Sequence, residues 1–144
     1  MRRLVLVLDT NVLVSGNLSR LGPPGRIVDL LNDGALVPLY DSRILAEYET
    51  VLCRPRFRFT EAVVAAVMEN IRLSGIATTA RRLPGVMLPD STDLPFLEVA
   101  AAGAADYLVT GNTSHYIPTH GSHSVAVVSP RQYVDRLDQE SERR

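Results

Sequence analysis

The chain has 144 residues, enough for one domain with a substantial core. Apolar residues make up 46% and charged residues 22%, which excludes an intrinsically disordered chain. A formal net charge of −1 excludes a globally basic nucleic-acid binder, so any such surface has to be a local patch.

The N-terminus, MRRLVLVLDTN, imitates a signal peptide by placing two arginines before an apolar run. That run ends at Asp9, too short for a signal h-region. Leu4 to Leu8 is a continuous apolar stretch and predicts a strand buried on both faces, as in a parallel sheet. Pro23-Pro24-Gly25 opens a helix through Ile27, Val28 and Leu31 that Gly34 stops. Leu36 to Leu39 predicts a second strand. Ser42 is the predicted N-cap of a helix carrying Ile44, Leu45, Tyr48, Val51 and Leu52. Thr60 caps the next helix, with Val63, Val64, Val67, Met68 and Ile71 on one face and Gly75 as the stop.

A third strand is expected around Ile76 to Thr79, followed by a loop through RRLPGVMLPDST. A helix starts near Thr92 or Asp93, with Pro95 in its first turn and Phe96, Leu97, Ala100, Ala101 and Ala104 inward. Tyr107 to Val109 is a fourth strand and Val125 to Val128 a fifth. Pro130 begins a short last helix with Tyr133, Val134 and Leu137. Residues 1–138 read as one domain and 139–144 as a charged, frayed tail.

Every basic residue is arginine, which removes any mechanism that needs a lysine. Cys53 is the single cysteine and has no internal disulfide partner, which suits a reducing cytoplasm. No apolar stretch is long enough to span a bilayer, so no membrane association is expected.

Strands alternating with helices imply an α/β fold with a mainly parallel sheet, whose sites form beyond the carboxyl ends of strands. Asp9, Thr10 and Asn11 follow the first strand; Thr110, Gly111 and Asn112 follow the fourth. Gly111-Asn112 is good turn chemistry in its own right. A carboxylate that continues a buried run, as Asp9 does, is costly unless it is paired or binds metal. Asp90 and Asp93 precede the helix that feeds the fourth strand, where the ordinary role of Asp93 is an N-cap. In the helix after Ser42, Glu47 and Glu49 both flank the apolar stripe, and periodicity does not choose between them.

Several familiar sites are excluded. There is no G-x-x-x-x-G-K-[ST] phosphate loop and no G-x-G-x-x-G after the first strand. A haloacid-type phosphatase needs an Asp where Asn11 stands, and a response-regulator receiver needs a late lysine. His115, His120 and His123 lie in one loop without a nearby cysteine or a helical i, i+4 pair, which reads as a solvated loop ahead of a zinc site.

Taken together, LVLDTNVLVSG at 6–16, SRILAEYETVLCRPRF at 42–57, DSTDLPFLEVAAAGAADYLVTGN at 90–112 and VVSPRQY at 127–133 resemble the PIN domain family of metal-dependent ribonucleases. The branch most similar is the VapC-like toxin component of type II toxin–antitoxin pairs. The resemblance implies a three-layer α/β/α fold around a central, mainly parallel five-stranded sheet. It implies a metal- and RNA-processing site in which Asp9, Glu47 and Asp93 are the acids and metal ligands, thereby selecting Glu47 over Glu49. Asn112 occupies a fourth catalytic place that is often Asp in the wider family. Asn11, Ser15, Asp90 and Thr110 match supporting positions.

Hard Mg²⁺ or Mn²⁺ ions prefer such oxygen donors and keep several waters, and three clear carboxylates suit one tight metal better than two. The implied reaction is hydrolysis of RNA phosphodiester bonds to a 5′-phosphate and a 3′-hydroxyl. CRPRFRF interleaves Arg54, Arg56 and Arg58 with Phe57 and Phe59, a pattern for phosphate contact and base stacking, though a solvated Arg row with Phe packed inward also accounts for it. Arg81 and Arg82 form a second basic pair, and His115 and Tyr116 lie close behind Asn112. The toxin resemblance further implies an antitoxin that blocks the site, a homodimer and a cytoplasmic location. The competing reading is a non-catalytic RNA-binding or protein-interaction module on the same fold, with DNA cleavage as a third.

Overall fold

The structure, a computed structural model, describes residues 3–119 and 125–142. The strands are β1 (Leu4–Leu8), β2 (Leu36–Tyr40), β3 (Ile76–Ala77), β4 (Tyr107–Val109) and β5 (Val127–Val128). The helices are α1 (Thr10–Leu18), α2 (Pro23–Asn32), α3 (Ser42–Leu52), α4 (Glu61–Ser74), α5 (Leu94–Ala102) and α6 (Pro130–Glu142). Short 3₁₀ turns occur at Pro55–Phe57, Ser91–Asp93 and Thr113–Thr119.

All strand pairings are parallel, in the order β3-β2-β1-β4-β5, and helices flank the sheet in a three-layer α/β/α arrangement. β1 is central, with Leu6 opposite Pro38 on one side and Tyr107 on the other. Burial on both faces explains why its sequence is continuously apolar: Leu6, Val7 and Leu8 are almost wholly inaccessible. From β1 the chain builds outward to β2 and β3, then returns to the opposite side of β1 for β4. The β1/β4 junction is therefore the topological switch point, and Asp9 and Thr110 are the first residues beyond it.

Three local expectations need correction, and one helix had no expectation. The segment after Asp9 forms α1, capped by the Asp9 side chain, which accepts from the Thr10 backbone N–H. A helix buried at Thr10, Val12, Leu13, Val14 and Gly16 has no clean polar face, so its sequence lacks an amphipathic period. Gly16 is required there by the close approach of α2: a Cβ would lie 2.4 Å from Val28 Cγ2 and 2.5 Å from the Pro24 carbonyl oxygen.

The cap of α3 is Asp41, one residue before Ser42, with its carboxylate accepting from the Ile44 N–H at 3.0 Å. Asp93 makes no side-chain cap bond to α5; the 3₁₀ turn before it is capped by Asp90, which accepts from the Thr92 N–H at 3.0 Å and the Thr92 hydroxyl at 2.6 Å. Finally, the segment read as a frayed tail is helical as far as Glu142. Gln139, Glu140 and Glu142 are adequate helix formers, and the Arg26–Asp138 ion pair at 2.8 Å joins this end of α6 to α2.

Candidate active site

A cavity of about 320 Å³ opens beyond the carboxyl ends of β1 and β4. Asp9, Asn11 and Ser15 reach it from the β1–α1 junction, Glu47 from α3, Arg54, Arg56 and Phe57 from the first 3₁₀ turn. Asp90 and Asp93 enter from the segment before α5, and Asn112 and His115 from the segment after β4. Glu49 does not line it, so tertiary structure selects Glu47 from the pair that periodicity left open. Arg58 does not line it either. That residue ends the 3₁₀ turn in a left-handed conformation, φ 57°, and its backbone N–H bonds the Pro55 carbonyl at 3.1 Å. His115 is at the cavity; His120 and His123 lie outside the described residues.

Asp9 is only 6% exposed, and its carboxylate is held from three directions. Oδ1 accepts from the Thr10 N–H at 2.8 Å, while Oδ2 accepts from the Thr110 hydroxyl at 2.8 Å and faces the Tyr116 hydroxyl at 3.4 Å. Burial nonetheless pushes the Asp9 carboxyl above its usual range, against the lowering effect of these donors. The Thr10 hydroxyl donates to Glu47 Oε2, which ties the α3 acid to the residue next to Asp9. The Glu47 carboxyl is also raised, first by burial and then by the charges of Asp9 and Asp90.

Around these acids the backbone is pinned by side chains. Asn11 Oδ1 accepts from the Gly111 N–H at 2.9 Å, and a Cβ at position 111 would stand 3.1 Å from that oxygen. The Asn112 N–H donates to Thr110 Oγ1 at 3.0 Å. Below the cavity floor, the Tyr48 hydroxyl donates to the Leu8 carbonyl, fixing α3 to the end of β1.

Asp93 differs from its neighbours. Its Oδ2 is buried and, among the described residues, has no hydrogen-bond partner; His115 Nδ1 approaches to 3.3 Å as an ion-pair contact. Burial, followed by the charges of Asp9 and Asp90, pushes its carboxyl up to about 6. A buried carboxylate oxygen without a donor is expensive, and a cation is the partner that removes the cost.

The donor set is made of hard oxygens, which fits Mg²⁺ or Mn²⁺. Among the described residues, however, no three Asp, Glu, His or Cys side chains already close around one point. The acids share the cavity without forming a finished cage, an arrangement compatible with an ion that keeps several waters.

The family model described as PIN domain matches residues 5–114. The chain belongs to the PIN domain family. Its matched region contains β1 to β4 and every cavity residue named above except His115, while β5 and α6 lie beyond it. PIN domains are generally metal-dependent nucleases, and in this chain acids line the cavity at the switch point of the sheet. A search of curated proteins finds no match to the chain.

Sequence reasoning missed two parts of this site, the Thr10 hydroxyl on Glu47 and the Tyr48 hydroxyl beneath Asp9; Tyr116, noted there only as lying close behind Asn112, is buried with its hydroxyl facing Asp9. Sequence reasoning also missed Glu98, a 4% exposed acid on α5 outside the cavity. Glu98 receives Arg43 at 2.7 Å on one oxygen and the Leu83 N–H at 2.9 Å on the other. It thereby anchors the loop that leads to Asp90. A charged residue within the otherwise apolar face of α5 was the available signal.

Proposed function

We propose that this PIN domain is a Mg²⁺- or Mn²⁺-dependent endoribonuclease that hydrolyses RNA phosphodiester bonds, acting as the toxin of a type II toxin–antitoxin pair. The observation that carries the reading is the buried Asp93 Oδ2, approached by His115 Nδ1 at 3.3 Å but without a hydrogen bond among the described residues, in the same cavity as Asp9 and Glu47. Asp9, Glu47 and Asp93 would hold the ion, and Asn112 offers a neutral oxygen beside them. A divalent cation supplies the positive charge that polarises the phosphodiester, stabilises the leaving oxygen and makes water acidic enough to attack.

The chain's own residues orient the acids. Thr110, the Thr10 N–H and Tyr116 fix Asp9, Thr10 fixes Glu47, and Asn11 fixes the turn that carries Asn112. Arg54 and Arg56 supply the local positive charge that a net charge of −1 does not provide globally.

The test is Mn²⁺-dependent cleavage of single-stranded RNA. Asp9→Asn and Asp93→Asn are each expected to abolish cleavage while the variants still fold; full activity in either one overturns the assignment. The toxin role is tested by inducible expression in bacteria, where growth arrest by the wild type and none by Asp9→Asn is expected. In that role a small antitoxin covers the cavity and the protein is a cytoplasmic homodimer.

The absence of a closed three-ligand group among the described residues favours one second reading, an RNA-binding module without cleavage. Calorimetric titration with Mn²⁺ separates them, because the module predicts no binding.

A further inference from the structure

The basic rim of the cavity has an internal order that phosphate contact alone does not require. Arg54, Arg56 and Phe57 all line the cavity, and the two arginines are opposite in charge to the acids. Among the described residues, neither arginine side chain has a carboxylate in ion-pair contact. The Arg56 guanidinium lies over the Phe57 ring, 4.7 Å from its centroid. Phe57 in turn stacks with Phe59, centroids 6.1 Å apart and planes 28° from parallel. Both rings are half-buried and packed against the core, so the guanidinium rests on a fixed base.

The backbone beneath is equally constrained. Pro55 opens the 3₁₀ turn, the Phe57 N–H bonds the Arg54 carbonyl at 3.1 Å, and Arg58 closes the turn in the left-handed region. Little conformational freedom is left to lose when a ligand binds. A flat, charged plane held by an aromatic stack is a surface on which a nucleobase stacks, and stacking is available only to a base outside a duplex.

We propose that Arg56, backed by Phe57 and Phe59, is a stacking platform for one unpaired RNA base beside the cleaved phosphate, with Arg54 holding the intervening phosphate. The subsite rests on the ribonuclease reading for its position next to the cleaved bond. It makes the substrate single-stranded, and it makes recognition at this nucleotide tolerant of base identity.

The experiment is fluorescence anisotropy, in chelator, with a short labelled single-stranded RNA, the same oligomer carrying abasic positions, and its matched duplex. Arg56→Lys keeps the charge and removes the plane; it is expected to weaken single-strand binding about five- to tenfold, the lower range for base stacking. Binding of the abasic oligomer and of the duplex is expected to stay near the wild-type value. Phe57→Leu, which keeps apolar packing, should act in the same direction. Arg54→Gln should weaken all three ligands alike.

Equal single-strand binding by wild type and Arg56→Lys overturns the subsite, as does wild-type binding of duplex or abasic RNA as tight as that of the intact strand. Cleavage is scored separately with Mn²⁺. An inactive protein that passes the binding comparison removes the nuclease reading and leaves the base platform. An active protein that fails it does the reverse.

Discussion

The Thr110 hydroxyl donates a 2.8 Å hydrogen bond to Asp9 Oδ2, across 101 residues of sequence. Thr110 Oγ1 also accepts the Asn112 N–H, so one side chain at the end of β4 both orients the β1 acid and shapes the turn beside it. This contact exists because β1 and β4 are neighbours, with Leu8 opposite Val109 and the Asp9 N–H bonded to the Val109 carbonyl at 2.9 Å.

Thr110→Val keeps the shape and removes the hydroxyl, leaving Asp9 Oδ2 and the Asn112 N–H without that partner. The expected cost is about 1–3 kcal/mol of stability, read by urea denaturation. Mn²⁺ affinity should fall as Asp9 loses its orientation, while Thr110→Ser should restore both. Unchanged Mn²⁺ affinity in the valine variant would show that Asp9 does not depend on this donor.

The pH response of the metal-free protein follows from Asp93. Its carboxyl is raised from 3.8 to about 6, chiefly by burial and then by Asp9 and Asp90, so between those values the folded state binds more protons than the unfolded state. Stability should therefore fall as pH rises from about 4 to about 6, and Asp9 and Glu47, also raised, act in the same direction. Asp90 is shifted downward by its Thr92 bonds and opposes them from the surface. Saturating Mn²⁺ should reverse the trend, because the ion competes with protons for the same oxygens. Denaturation curves at several pH values, with chelator and with Mn²⁺, measure both. In chelator, Asp93→Asn should flatten the fall.

Glu98→Ala would strip Arg43 and the Leu83 N–H of a shared acceptor. Arg43 is half exposed and keeps Asp41 at 2.8 Å, so the expected loss is about 1–3 kcal/mol, less than for a fully buried pair. The loop between β3 and Asp90 should become more open, visible as faster amide exchange and new proteolytic cuts. A stable variant with unchanged exchange in that loop would remove the anchoring role.

Asn112→Asp would add a carboxylate to the cavity wall. Mn²⁺ binding should tighten by roughly three- to tenfold, since ligand charge sets affinity in oxygen sites. The metal-free protein should lose stability through repulsion with its acidic neighbours. Calorimetric titration and thermal melts in chelator read the two effects, and an unchanged affinity would leave Asn112 as part of the turn alone.

The sequence by itself determined β1, the spans of α2, α3 and α4, and the α/β alternation, because these patterns record burial over neighbouring residues. The unbroken apolar run of Leu4 to Leu8 is readable since both faces of β1 are covered, and Thr60 is readable as a cap since its hydroxyl bonds the Val63 N–H only three residues on. It also marked Asp9 as a carboxylate too close to the core to be ordinary. α1 was hidden because burial around most of its circumference erases the helical period.

Only the tertiary structure decided the rest. Glu47 and Glu49 are equivalent along the helix; the Thr10 hydroxyl and the cavity distinguish them. Asp93 has the position of an N-cap but not its hydrogen bond, and the burial of its Oδ2 without a hydrogen bond among the described residues is evident only once Asp9, Asp90 and His115 surround it. Arg56 and Arg58 alternate identically in sequence, yet the left-handed turn at Arg58 leaves only Arg56 at the cavity. Local periodicity encodes which face is buried, whereas a site depends on which strand ends meet, and that is set by pairings such as β1 with β4 between residues about a hundred positions apart.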